Sequence, residues 1–265
     1  MKFLSNYDRG MSDNLMHHEG DLINARKLWL EGLNKNLFFL LQSRFSWMNH
    51  FIGQNSVGVE LGSGISASKN FIKAKNFYTS DFNNSPWLDV KNVNALATPF
   101  INDSQDFVVA SNMIHHLAKP SDFFQEAWRI LKPGGVLLIQ EVHTSISMRL
   151  ILRIMRHEGY DERINVFDKD SICNDPNDLW SANCSIPKLF FNKDFTKNYS
   201  NWRIVHDRKV EFFTFLNSGG VTAKTFYLPL PTILLKFFRY IDYLLIKVAP
   251  DIFALQRRIV IQKMI

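Results

Sequence analysis

Short apolar runs alternate with amphipathic segments along the first half of the chain. Four runs predict β-strands, at 57–61, 76–80, 106–110 and 135–142. Between the last two, apolar residues from Phe123 to Leu131 recur at helical spacing, with Ser121 as the expected N-cap and Lys132–Gly135 as the C-terminal turn. Strands that alternate with helices predict a parallel sheet covered on both faces, with ligands at the carboxyl ends of the strands.

The flanking regions predict further helices and strands. Residues 20–50 predict a helix, because apolar positions recur at three-to-five spacing: Leu28, Leu33, Leu37, Leu40 and Leu41. Beyond residue 143 the pattern loosens. Trp202–Phe215 and Phe253–Lys263 predict the closing pair of strands of the same sheet, with a hydrophobic insertion, Gly219–Pro250, between them.

The insertion contains a predicted amphipathic helix at 231–249, which begins at a proline. Four polar residues share one face of this helix, and most of the others are apolar: Lys236, Arg239, Tyr243 and Lys247. Such a helix is typical of a membrane interface or of a lipid-binding wall. The same pattern also suits a helix that packs on the sheet or against a second subunit. Its charges argue against a membrane span.

Composition narrows the class of protein. A chain of 265 residues with 46% hydrophobic and 21% charged residues predicts one elaborated globular domain. The net charge of +6 favours anionic partners or indicates only a basic surface. Two cysteines, Cys173 and Cys184, are too few for a disulfide framework or a four-cysteine zinc site. With no signal-peptide pattern at the start, we expect a cytoplasmic protein.

The clearest chemical signal lies at 57–67. The first strand ends at Glu60-Leu61, Gly62 then permits a sharp turn, and Gly64 allows close approach of the backbone to a ligand. Ala67 would keep the following helix tight against the sheet. Asp81 follows the second strand, at the separation where an acid reaches ribose hydroxyls. Strand, turn, helix, strand and acid in this order predict a nucleotide-like ligand.

Six segments in order resemble the class I S-adenosylmethionine-dependent methyltransferases, in the type 11 group similar to ubiquinone and menaquinone methyltransferases. They run from about residue 55 to 145: Glu60–Gly64, Ser80–Asp81, Asn94–Phe100, Asp103–Val109, Asn112–Leu117 and Arg129–Gly135. Arg156–Glu158 and Trp180–Asn183 resemble, more loosely, a bacterial branch associated with surface-polysaccharide genes.

The resemblance implies a fold and a division of the chain. The fold is a Rossmann-like, doubly wound, mostly parallel seven-stranded sheet. An N-terminal helical cap or lid covers 1–54, and the S-adenosylmethionine-binding core covers 55–145. Residues 146–265 hold the acceptor-side helices, the amphipathic insertion (219–250) and the closing strands.

The resemblance also implies S-adenosyl-L-methionine as cofactor. Gly62 and Gly64 would line its methionine moiety, and Glu60 would anchor the amino end through the loop or a water. Asp81 would accept from the ribose hydroxyls, and Asn94 stands where the family has aspartate for the adenine amino group. The full implied set is Glu60, Gly62, Ser63, Gly64, Asp81, Phe82, Asn94, Ala95, Ser111, Asn112 and Met113. The glycines and Asn94 could instead serve only in turns, and Asp81 as a helix cap.

Methyl transfer to a hydroxyl requires a base, and histidine is the natural choice. The candidates are His116 and His143, which follow the strands at 106–110 and 135–142, and, less favoured, His157. Each could instead be a packed core residue. His17 and His18 belong to the N-terminal lid or to plain surface, and no metal site is predicted.

The predicted function is O-methylation of a small molecule, namely a glycan or a lipid-linked acceptor. The alternatives are C-methylation of a quinone-like lipid, a cofactor-binding partner protein without catalysis, and a nicotinamide-dependent reductase. We expect no nucleic-acid partner, because the basic residues are scattered and base-reading motifs are missing. Contact with the inner face of an anionic membrane is a further expectation, and the oligomeric state is left open.

Overall fold

One mixed sheet organises the fold. The structure, a computed structural model, describes residues 21–156, 158–222 and 225–264; His17, His18 and His157 lie outside them. The described residues form six strands in the order β2-β1-β3-β4-β6-β5. The bounds are β1 Val57–Leu61, β2 Asn76–Ser80, β3 Gln105–Ser111, β4 Leu131–Val142, β5 Trp202–Val210 and β6 Gln256–Lys263. Strands β1 to β4 pair in parallel, and β6 is antiparallel to both β4 and β5.

Helices flank the sheet and precede it. They are α1 Leu22–Glu31, α2 Lys35–Ser46, α3 Pro120–Ile130, α4 Ile146–Met155, α5 Ile186–Phe190, α6 Phe195–Asn198, α7 Phe213–Leu216, α8 Thr232–Val248 and α9 Pro250–Phe253. Short 3₁₀ helices cover Trp47–His50, Ala67–Asn70 and Ile114–His116.

Alternate residues of the central strands enter two different core clusters. Val108 and Leu137 pack with residues of α3, α5 and α6. Their neighbours Val109 and Leu138 pack with residues of α1 and α2. Because successive strand residues point to opposite faces, this division confirms a sheet that is covered on both sides.

The seventh predicted strand is not found among the described residues. At the β2 edge, Val90 makes only an isolated parallel bridge to Ser80. The helix predicted after Gly64 is also shorter than expected, a single 3₁₀ turn at Ala67–Asn70. In the link between β1 and β2, residues 62–66 form the glycine loop and only Ala67–Asn70 is helical.

Several predicted boundaries move because of local capping. The single helix expected over 20–50 divides into α1 and α2, since Gly32 ends α1 with φ 65° and the Asn34 side chain caps α2. Helix α3 begins at Pro120 with Lys119 as N-cap, not Ser121. β4 begins at Leu131 rather than at residue 135, because Leu131 already pairs with Gln105.

Strand β5 ends at Val210, before the predicted Phe215. Glu211 takes a positive φ of 62° there, and α7 starts three residues on from Val210. The carboxylate of Asp242 in α8 accepts hydrogen bonds from the backbone N–H of Phe213 (2.7 Å) and Phe212 (3.1 Å). A carboxylate at this helix start satisfies donors that would otherwise have no partner.

Helix α8 contacts the body along one narrow face: Leu235, Asp242 and Ile246 are its buried residues. Asp242 is the one charged residue on this buried face. The opposite face is exposed and apolar. Within the described ranges, no helix has the length and apolar character needed to cross a bilayer.

Candidate functional site

The glycine loop after β1 is built for close approach. Gly62 and Gly64 have φ of 73° and 51°, which favour glycine. A Cβ on Gly62 would lie 2.4 Å from Cγ of Met113. The Asp81 carboxylate accepts from the backbone N–H of Gly64 at 2.8 Å. Asp81 therefore closes the loop as well as facing the space beyond it.

Glu60 supports this loop from inside the fold. It is buried, and its side chain accepts from the hydroxyl of Ser68. Burial raises the pKa of Glu60 to about 7, against the hydrogen bonds from Ser68 and Ser63. Glu60 does not line the cavity described next, so any effect on a ligand would be exerted through the loop or a water.

A large cavity of about 930 Å³ opens at the carboxyl ends of β1, β2 and β3. This volume lies at the upper end of ordinary small-molecule sites. Every residue of the implied cofactor set except Glu60 lines it: Gly62, Ser63, Gly64, Asp81, Phe82, Asn94, Ala95, Ser111, Asn112 and Met113. The sequence pattern thus brought together residues that the fold does place around one space.

Asn94 and Asn112 each have a structural partner at the cavity wall. The Asn94 side-chain oxygen accepts from Leu96 N–H at 2.9 Å, so Asn94 forms a turn while lining the cavity. Asn112 has a φ of 50° and accepts from the Gln256 amide at 3.0 Å. Gln256 also lines the cavity, and nothing in the sequence motifs pointed to it.

A buried carboxylate, Glu141, holds the turn after β3. It accepts from the backbone N–H groups of Met113 (2.7 Å) and Ile114 (2.6 Å), and its other oxygen lies 2.6 Å from Nδ1 of His115. Burial opposes the charge of Glu141, but His115 and the backbone donors outweigh burial and lower its pKa. Glu141 therefore fixes the position of the two histidines that follow.

Glu158 completes a polar cluster on the cavity wall. Its Oε1 lies 3.7 Å from Nε2 of His115 and 3.8 Å from Nε2 of His116. Burial alone would lower the pKa of His115, but Glu141 and Glu158 outweigh it and raise that pKa to about 10. Burial and the neighbouring His115 charge lower the pKa of His116 to about 4.

This cluster was incompletely predicted. His116 was singled out, whereas His115, Glu141 and Glu158 were given no role in the site. The position of Glu141 follows from the pairing register of β3 and β4. Gln140 of β4 lies opposite Ser111 of β3, so the next residue, Glu141, lies beside the turn that follows β3. The position of Glu158 depends on tertiary folding and had no such local signal.

His143 does not line the cavity, although its neighbour Val142 does. It is 2% exposed, and no described residue makes a hydrogen bond to either of its ring nitrogens. Burial, followed by the charges of Lys209 and Arg257, lowers the pKa of His143 to about 3. The structure therefore does not bring this predicted base next to the glycine loop.

The remainder of the cavity has two kinds of wall. The apolar wall comes from α4, α7 and the end of β4: Val142, Met148, Ile151, Leu152, Met155, Phe215 and Leu216. The polar rim includes Asp175, Asp178 and Trp180, with the Trp180 ring 6.0 Å from that of His116. Gly220, Val221, Thr222 and Thr225 of the insertion also line the cavity.

Comparison with known proteins identifies the central segment. Residues 53–139 match the family model described as "Methyltransferase domain". Over these residues the chain carries a methyltransferase domain. It is an enzyme that uses S-adenosyl-L-methionine. The matched segment agrees closely with the range over which the sequence motifs occur.

One solved structure shows the same fold. A SAM-dependent methyltransferase from Archaeoglobus fulgidus is 14% identical, with 85% of this chain and 93% of that chain covered and a TM-score of 0.50. One from Methanosarcina mazei is 17% identical, with 83% and 97% covered and a TM-score of 0.49. At 14% identity the likeness to the Archaeoglobus fulgidus protein concerns the fold alone. None of the curated proteins compared with this chain matches it significantly.

The methyltransferase cofactor fits the observed geometry. Beside Gly64, an added Cβ would meet no atom closer than Leu22 Cδ2 at 3.9 Å, so the loop borders open space. Asp81 supplies a double acceptor at the edge of that space. Leu22 of α1 also lines the cavity, which puts part of the predicted N-terminal cap beside the glycine loop.

Proposed function

We propose that this methyltransferase O-methylates a hydroxyl group of a lipid-linked glycan. One observation carries the proposal: a single cavity joins the glycine loop, the polar cluster of His115, His116 and Glu158, and a long apolar wall. The polar rim with Trp180, Asp175 and Asp178 suits sugar hydroxyls and rings. The wall formed by α4 and α7 suits a lipid tail.

The bound cofactor supplies an electrophilic methyl group. The chain's own contribution is to hold the acceptor oxygen in line with that methyl and to exclude water. A hydroxyl must also lose its proton, and His116 is neutral at physiological pH because its pKa is lowered to about 4. Its Nε2 can take the proton, and Glu158 at 3.8 Å stabilises the resulting imidazolium. We assign this role to His116 rather than to the buried His143.

The test is methyl transfer from labelled cofactor to lipid extracts of the source cells, with the products treated with boron tribromide. An O-methyl ether releases its label in this treatment, whereas a C-methyl group keeps it. Release of the label supports the proposal. Retained label would establish C-methylation of a quinone-like lipid instead, and no labelled lipid would overturn the acceptor class.

We further propose that α8 holds the enzyme against an anionic membrane surface. An exposed apolar stripe runs along the helix: Ile233, Phe237, Tyr240, Leu244 and Val248. Lys236 and Lys247 flank it on the same helix, and Arg239 lies nearer the buried face, with its guanidinium 5.2 Å from the centre of the Phe39 ring. Basic heads beside an apolar stripe match a bilayer with acidic lipids, which is where a lipid-linked acceptor resides.

A further inference from the structure

The polar cluster at the cavity wall also has the arrangement of a metal site. Three possible ligand atoms converge there: Nε2 of His115, Nε2 of His116 and a carboxylate oxygen of Glu158. All three lie within 4.8 Å of one another, close enough to share a single ion. Each of the three residues lines the cavity, so an ion held between them would face the ligand space.

The outer nitrogens of both histidines are already engaged. His115 donates from Nδ1 to the Glu141 carboxylate at 2.6 Å, and His116 donates from Nδ1 to the backbone oxygen of Ser181 at 3.2 Å. With Nε2 of His115 deprotonated, as binding of a metal requires, each ring would present an Nε2 lone pair toward Glu158. Carboxylate and carbonyl partners of this kind orient metal-binding histidines and raise their basicity.

The ligands are also held in place by the backbone around them. The carbonyl oxygen of His115 accepts from Asn174 Nδ2 at 2.8 Å and from Asn183 N–H at 2.9 Å. The second oxygen of Glu158 accepts from the Cys184 thiol at 3.1 Å. Burial raises the pKa of Cys184, so this sulfur serves as a donor to Glu158 rather than as a thiolate ligand. Pre-organised ligands lower the entropic cost of binding an ion.

We propose that His115, His116 and Glu158 bind one divalent transition-metal ion, with Zn²⁺ as the reference ion. Two imidazole nitrogens and one carboxylate suit zinc and its first-row neighbours, whereas Mg²⁺ and Ca²⁺ prefer oxygen donors throughout. Three protein ligands leave a coordination position open, as in catalytic rather than structural zinc sites. The carboxylates of Glu141 and Glu158, which lie beside His115, also attract a cation.

The site has a consequence that rests on the proposed function. The open position faces the cavity, where the hydroxyl-bearing end of the acceptor would bind. An ion there would lower the pKa of that hydroxyl, whose proton would pass to water in the open cavity, and His116 would then serve as a ligand instead of as the base. Binding of the ion itself depends only on the three side chains and not on the identity of the acceptor.

The test is metal titration of the untagged protein after chelator treatment, followed by calorimetry with Zn²⁺ and by visible absorption with Co²⁺. We expect one ion per chain and a Co²⁺ spectrum of four or five coordination. His116→Ala and Glu158→Gln should each weaken Zn²⁺ binding at least tenfold. Matched controls are His50→Ala at an exposed site and the double variant His17→Ala/His18→Ala, both of which should bind as the parent does.

S-adenosylhomocysteine affinity, measured on every variant, shows whether the fold and the cofactor site persist. Parental Zn²⁺ affinity in both cluster variants, or loss of the ion only in the His17/His18 double variant, would overturn the proposal. Failure to find a methyl ether product would count against the proposed function. It would not affect the metal-site proposal, which is tested by the stoichiometry and affinity of Zn²⁺ binding.

Discussion

At the residue scale, Asp81 has two roles that a substitution can separate. Its carboxylate accepts from Gly64 N–H and faces the cavity where ribose hydroxyls would lie. Asp81→Ala removes a charged acceptor and should weaken S-adenosylhomocysteine binding by about 1.5–3 kcal/mol, roughly ten- to a hundredfold. Calorimetry measures this directly. Asp81→Asn is the matched variant, because its amide oxygen can still accept from Gly64, and it should lose less.

Unchanged affinity in Asp81→Ala would mean that the cofactor does not reach this carboxylate. The prediction does not depend on the acceptor. It can therefore be checked before any substrate is known.

The titration of a single residue, His143, makes the stability of the protein depend on pH. Its pKa falls from about 6.5 unfolded to about 3 in the folded protein, chiefly through burial. The unfolded chain thus binds more protons between these values, and stability is lost as the pH falls from about 6.5 toward 3. Through His143 alone, the free energy of unfolding should be about 2 kcal/mol lower at pH 5 than at pH 8.

His143→Phe keeps the shape of the ring and removes the titration. We expect the drop in the free energy of unfolding between pH 8 and pH 5, from urea titrations, to shrink by about 2 kcal/mol. The pKa of His116 is also lowered, and His116 contributes equally to the pH dependence of stability in the parent and in His143→Phe. The exposed His50→Phe is the control, and equal slopes for parent and His143→Phe would contradict the assignment.

At the element scale, α8 joins a buried anchor to an exposed apolar stripe. Burial raises the pKa of Asp242, yet its carboxylate still caps α7 through three backbone N–H groups. This anchor fixes the rotation of the helix about its axis. As a result Ile233, Phe237 and Val248 are 71%, 55% and 84% exposed.

Membrane contact by α8 can be tested through its charges. Reversal of Lys236, Arg239 and Lys247 to glutamate should lower co-sedimentation with anionic vesicles tenfold or more, since each basic residue near the surface contributes about 1 kcal/mol. Cofactor affinity should not change. The control reverses three exposed lysines outside α8: Lys91, Lys169 and Lys193. If both triple variants sediment alike, net charge rather than α8 is responsible.

Features that depend on residues close together in the sequence could be predicted, whereas features that depend on contacts between distant segments could not. Gly62, Gly64 and Asp81 form one strand–turn–helix–strand unit, so their order alone indicated a shared site. The seventh strand, which the family resemblance implied, is not found among the described residues, and the helix expected after Gly64 is a single 3₁₀ turn. Glu158 reaches His116 through a loop that only tertiary packing positions, and the orientation of α8 depends on the distant Thr214 and Phe213. These features had no local pattern to reveal them.

At the scale of the whole molecule, one buried ion pair connects the N-terminal helices to the far end of the sheet. Arg44 of α2 and Glu211, just after β5, form a bidentate pair with side chains 6% and 4% exposed. Gln140 of β4 donates to the same carboxylate at 3.2 Å and to Gln256 at 3.1 Å, and Gln256 in turn reaches Asn112. Arg44 and Gln256 both line the cavity, so this network joins α2, β4 and β6 at its floor.

Glu211→Ala should therefore destabilise the whole domain rather than one helix. It leaves the Arg44 guanidinium buried without its carboxylate, which typically costs about 3–5 kcal/mol and should lower Tm by roughly 10 °C. The double variant Arg44→Met/Glu211→Leu is the matched control, because it removes both charges and should recover most of that loss. Thermal denaturation compares the three proteins. A single variant as stable as the parent, or a double variant no better than the single, would show that the pair does not hold α2 to the sheet.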